Sequence, residues 1–185
     1  MITLWISYDK LLTIVYLYVN IKKEVNNIFI GVKEMNNLLS QFWDWMPISY
    51  EEYAVNGISQ LNGSYEDSFP LFSELLSYAE LIIHSNLMDD EHIDDLLTIL
   101  AIDNETEYVL DLIKSDSSNC QINRIVLCGV NHPLYHTRWQ IAELIYHRKP
   151  SQHDFYLQKL SMDSHPYVKR RAMNCKRMLY ESRED

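Results

Sequence analysis

The sequence predicts an all-α chain of short antiparallel helical hairpins. Three observations carry this reading. Apolar residues recur at helical spacing in segment after segment, without convincing strand alternation. The breaks between segments are short and rest on Pro, Asn-Gly, Asp-Asn or serine-rich steps. Only 4 Gly and 5 Pro occur in 185 residues, too few turn formers for a sandwich or a barrel. A hydrophobic content of 47% with 12% aromatic residues supplies a core and excludes a disordered chain.

Residues 1–34 read as an N-terminal extension to a domain of residues 35–185. Within the extension, residues 11–19 form an uncharged, mostly apolar run preceded by Asp9 and Lys10. A membrane span needs about 20 apolar residues. A signal peptide wants a basic start and a small-residue cleavage site, and neither pattern is present. Purine-rich codons for Gly31, Val32, Lys33 and Glu34 would resemble a bacterial ribosome-binding site, which makes Met35 a second candidate start.

From residue 36 the period is helical. A first helix over 36–45 stops at Met46-Pro47, because a residue before proline avoids the helical region. Ser49 and Glu52 have the spacing of a capping box. Residues 56–68 hold Asn-Gly twice and read as a loop. Pro70 opens the next helix, whose apolar stripe is Leu71, Leu75, Tyr78, Ile82 and Ile83. Another starts near Asp89 and buries Ile93, Leu96, Leu97 and Leu100, with Asp89, Asp90 and Glu91 suiting its positive N-terminus. Asp103-Asn104 breaks it, and Val109, Leu112 and Ile113 carry a short helix to Lys114. After a polar linker at 115–119, Ile122, Ile125, Val126 and Val130 predict a further short helix. Asn131-His132-Pro133 is a stop and restart, followed by helices over 134–147, 152–162 and 166–181.

Charge is unevenly spread. Residues 35–115 carry one basic group, Lys114, against 16 acidic ones, whereas residues 116–185 carry 11 basic and 7 acidic groups. The net charge of −10 repels phosphate backbones and anionic lipid, so neither a nucleic-acid partner nor stable membrane insertion is expected. The acidic segment suits either a solvated face or a docking surface for a basic protein. Three cysteines without regular spacing, Cys120, Cys128 and Cys175, do not make a disulfide framework or a structural zinc site, and fit a reducing cytoplasm.

Two stretches of the C-terminal third repeat at an offset of 33. His132-Pro133 falls on His165-Pro166, Arg138 on Arg171, Tyr135 on Val168, Ala142 on Cys175 and Ile145 on Met178. A two-helix repeat of this length signals an α-solenoid. Proline in the first turn starts a helix without losing a bond, and Ala142, Ala172 and Cys175 are small enough for close helix approach. The phrase Asp163-Ser164-His165-Pro166-Tyr167-Val168-Lys169-Arg170-Arg171-Ala172 resembles the turn and second helix of a HEAT repeat. The first copy departs from that pattern, with Asn131 where an acid is usual and Trp139 where a small residue is usual. The resemblance covers about 50 residues. It implies a right-handed superhelix of antiparallel hairpins, and it implies that Arg138 and Arg171 are inter-repeat structural groups.

Chemistry-bearing patterns are sparse. Cys128, His132 and His136 sit at steps of four, but Pro133 interrupts any continuous helix and no carboxylate completes a ligand set. No catalytic motif, metal site or cofactor fingerprint is recognised. The candidate partner-binding residues are therefore Trp43 and Trp45, as an aromatic anchor, and the acidic run Asp89, Asp90, Glu91, Asp94 and Asp95. For the tryptophans the rival reading is a hydrophobic cap on the end of the helix stack; for the acids it is a solvated helix start. The expected function is a non-enzymatic interaction module for a basic protein, in one version a bacterial immunity or antitoxin-like protein. The alternative is a HEAT-like DNA glycosylase using the basic cluster Lys169, Arg170, Arg171, Lys176 and Arg177. A tetrapyrrole-binding HEAT protein and a membrane-tethered adaptor using residues 11–19 are further rivals.

Overall fold

In the computed structural model, residues 37–56 and 65–181 are described. The extension, the apolar run 11–19 and the middle of the 56–68 loop lie outside the described residues. All regular structure among the described residues is helical. None of these helices is long and apolar enough to cross a membrane.

The local signals set the element ends. Helix α1 (Leu38–Trp45) stops before Pro47, and α2 (Tyr50–Asn56) follows. The capping box forms in both directions. The Glu52 amide donates to Ser49 Oγ at 3.2 Å, and the Ser49 amide donates to Glu52 Oε2 at 3.0 Å. A single 3₁₀ turn (Glu66–Ser68) leads into α3 (Phe72–His84), which buries Leu75, Tyr78, Ala79, Ile82 and Ile83. Helix α4 (Asp90–Ile102) is capped by Asp89, whose carboxylate accepts from the His92 amide.

Helix α5 (Tyr108–Asp116) runs two residues past Lys114, so only Ser117 and Ser118 connect it to α6 (Asn119–Gly129). The predicted linker at 115–119 is thus mostly helix. The reason is a second capping box at Ser118 and Gln121, which starts α6 sharply. The Gln121 amide nitrogen also reaches back to the Ile83 carbonyl at 2.9 Å and ties α6 to the end of α3. Helices α7 (Tyr135–Arg148), α8 (His153–Leu160) and α9 (Pro166–Glu181) complete the chain.

Helix α7 is the hub. It packs against α4, α5, α6, α8 and α9. Buried residues lie around most of its circumference, from His136 and Thr137 through Trp139 to Leu144 and Ile145. A helix enclosed this way needs partners for its polar groups. Thr137 Oγ1 donates to the Leu97 carbonyl at 2.7 Å, and Gln140 Nε2 donates to the Leu100 carbonyl at 2.6 Å. Both bonds bind α7 sideways to α4. On its other flank, Ala142, Ala172 and Cys175 are fully buried where α7 meets α9. These are the small residues that the repeat pattern singled out.

Arg138 acts as a structural group. Its guanidinium pairs with both oxygens of Asp163, at 2.8 and 3.1 Å, and donates to the His132 and Pro133 carbonyls at 2.8 Å each. It therefore clamps the α6–α7 turn to the α8–α9 turn. Burial alone would raise the Asp163 carboxyl, but Arg138 and the His165 amide hold it below the usual range. Arg171 ties α9 to α7 through Glu143 at 3.0 Å and lies 4.6 Å from the centre of the Trp139 ring.

Candidate partner-binding surface

The predicted acidic run divides into separate roles. Asp89 spends its carboxylate on the helix cap and on His92 Nδ1, at 2.7 Å. The His92 amide and ring hold it below the usual carboxylate range. Asp95 turns inward and accepts from the Tyr78 hydroxyl at 2.8 Å; burial pushes its carboxyl up. Asp90, Glu91 and Asp94 remain at the surface. Asp90 pairs with Arg124 of α6 while its side chain stays 92% exposed. Asp94 is 74% exposed and lies 3.7 Å from His132 Nε2.

The two tryptophans part company, because residues two apart on a helix point to different sides. Trp43 packs edge-on against Tyr50 and Tyr53, with ring centres 5.1 and 5.3 Å apart. Trp45 stacks on Tyr65 at 4.7 Å and leans on Phe69. Both are half-buried parts of an aromatic cluster around the fully buried Phe42. Burial first, and then the charge of Asp94, raise the Tyr50 phenol, and Tyr50 is the ring against Trp43. Tyr50 thus links Trp43 by ring contact to the charge of Asp94.

Sequence reasoning missed a cleft of about 600 Å³ on a different part of the molecule. One side is acidic, with Glu105 and Glu107 beside Asn104 in the turn between α4 and α5. The other is aromatic, with Tyr135, Trp139 and Tyr167 from the starts of α7 and α9. Tyr135 lies against two histidines, its ring centre 3.8 Å from His165 and 3.9 Å from His136. Tyr167 meets Trp139 edge-on at 5.7 Å. His136 is 8% exposed, and its Nδ1 has no hydrogen-bond partner among the described residues. Burial and then the neighbouring His165 lower its pKa to about 4, so it is neutral at pH 7. The available signal was a Glu-x-Glu step placed directly after the Asp103-Asn104 helix break. Its meaning depended on knowing that α7 and α9 begin beside it.

A larger cleft, of about 770 Å³, is lined by Val55, Val130, His132, Pro133 and Met162, together with the Arg138–Asp163 clamp. Its charged pair is committed to the fold, and His132 is buried and shifted to about 4 by its desolvation and by Arg138.

The cysteine and histidine pattern does not assemble into a reactive site. Burial raises the Cys128 thiol, and burial with Glu143 pushes Cys175 up to about 12, so both are protonated at pH 7. Among the described residues, no three His, Cys, Asp or Glu side chains gather closely enough to hold a metal ion. Set against known proteins, the chain matches no family model, no curated protein and no solved structure.

Proposed function

We propose that this chain is a HEAT-like helical-repeat interaction module that binds a basic protein through the acidic surface of residues 35–115. The observation that carries this reading is the excess of negative charge that stays exposed at the surface. That segment sets one lysine against 16 carboxyl groups, and Asp90, Glu91, Asp94 and Glu105 stay exposed at its surface. The side-by-side packing of α4 on α7 and α7 on α9 supports the repeat architecture, as does the Arg138–Asp163 clamp between consecutive hairpins. Reduced cysteines are in keeping with a cytoplasmic site of action. In its specific form the module is a bacterial immunity or antitoxin-like protein that masks a cationic toxin.

The alternative, nucleic-acid binding in the manner of a HEAT-like glycosylase, draws on the exposed Lys169, Arg170 and Arg177 of α9. One experiment separates the two. The full chain is immobilised, challenged with lysate of its source organism at low salt and eluted with rising NaCl, beside the variant Asp90→Lys/Asp94→Lys. A basic protein retained by the wild type, released by moderate salt and lost from the variant is the expected result. Nucleic acid or a coloured ligand in place of a protein overturns the reading, as does a protein that ignores the charge reversal.

A further inference from the structure

The geometry points to the cleft between the α4–α5 turn and the starts of α7 and α9 as a socket for an arginine side chain of the basic partner. This inference rests on the interaction-module reading and names the group that enters. A guanidinium needs negative charge to pair with and aromatic faces or edges to lie against. The cleft offers both. The carboxylates of Glu105 and Glu107 have no hydrogen-bond or ion-pair partner among the described residues, unlike Asp89, Asp95 or Asp163.

Opposite them stand Tyr135, Trp139 and Tyr167. Two of these rings already accept a guanidinium within the fold, since Arg171 lies 4.6 Å from the Trp139 centre and 5.9 Å from that of Tyr167. Arg170 also lies 5.0 Å from the Tyr167 centre, and neither arginine lines the cleft, whereas Trp139 and Tyr167 do. A second observation is independent of charge. His136 lines the cleft, is more than nine-tenths buried, and keeps an unpartnered Nδ1, a group that native folds rarely leave unsatisfied. The backbone is also committed. Glu107 holds a left-handed φ of 54°, a conformation unfavourable for a residue with a side chain. That conformation carries the chain from the Asp103 turn into α5 while keeping Glu107 on the cleft.

An arginine suits the site better than a lysine. Its planar fork can pair with two carboxylates while its face rests on a ring, whereas an ammonium is a compact, strongly hydrated point charge. A cleft of about 600 Å³ has room for one such side chain and the neighbouring backbone of a partner segment.

The test uses Nα-acetylarginine methylamide as the probe and its citrulline analogue, which keeps the shape and lacks the charge, as the control. Each is titrated into the ¹⁵N-labelled full chain. The arginine probe is expected to give saturable shifts at the Trp139 indole and at the amides of 104–107. These should be at least about tenfold weaker in Glu105→Gln/Glu107→Gln and weakened also in Tyr167→Leu, which spares both carboxylates. Equal shifts with the citrulline analogue overturn the proposal, as do unsaturable shifts spread over Asp90 and Glu91. Lysate capture separates this failure from that of the broader reading. A basic partner retained by Glu105→Gln/Glu107→Gln as by the wild type, but lost from Asp90→Lys/Asp94→Lys, removes the socket and leaves the acidic face in place.

Discussion

At the scale of the residue, two buried histidines make the fold sensitive to acid. His132 and His136 are buried, and their pKa values fall from 6.5 to about 4. Between these values the unfolded chain binds protons that the folded chain refuses, so stability drops as pH falls through that window. Each histidine contributes a slope of up to about 1.4 kcal/mol per pH unit. The buried carboxyls of Glu66 and Asp103 act in the opposite sense. Burial raises them, so their contribution favours the fold in acid and is lost as pH rises through their folded pKa values. The histidine part is isolated by His136→Phe, which keeps a ring against Tyr53 and Tyr135. Its melting temperature should fall less than the wild type's between pH 7 and pH 5. An unchanged pH dependence would mean that His136 is not held neutral.

At the scale of the element, the contact of α6 with α7 depends on a missing side chain. A Cβ on Gly129 would lie 2.6 Å from Cγ1 and Cδ1 of Ile141 and 3.1 Å from Leu97 Cδ2. Ile141 and Leu97 are themselves buried, so neither can swing into solvent. Gly129→Ala gains up to about 1 kcal/mol of helix propensity but overpacks a filled core, at a cost of about 1–3 kcal/mol. The expected net result is a loss of stability in urea denaturation. A stabilised variant would show that the α6–α7 contact is looser than described. The same contact explains why a glycine sits in the last turn of α6, where sequence reasoning saw only the end of an apolar stripe.

At the scale of the whole molecule, the uneven charge should be measurable before any partner is known. Sixteen carboxyl groups share residues 35–115 with one lysine, and the fold sets them on short helices and the turns between them. Self-repulsion of this kind weakens the compact state. Salt screens it, shortening the Debye length from about 30 Å at 0.01 M to about 8 Å at 0.15 M. The melting temperature should therefore rise with NaCl over that range. A fall would mean that ion pairs such as Arg138–Asp163 and Arg171–Glu143 outweigh the repulsion.

The sequence alone determined the local grammar of this protein. The Ser49–Glu52 box, the helix start near Asp89, the stops at Pro47 and at Asp103-Asn104, and the span of the last helix were all legible, because each is decided by neighbours within one turn. So was the structural role of Arg138, through the repeat. Tertiary packing decided what those signals could not reach. It made α7 the hub, although a helix buried around most of its circumference shows little amphipathic contrast. It divided one acidic run into a cap, a half-buried hydrogen-bond acceptor and three exposed charges, and it sent Trp43 and Trp45 to different neighbours. It also set Glu105 and Glu107 opposite Tyr135 and Tyr167, residues about 30 to 60 positions away along the chain. A side chain's role at that range depends on which helices lie side by side, and that follows from how the apolar faces of the whole chain close on one another.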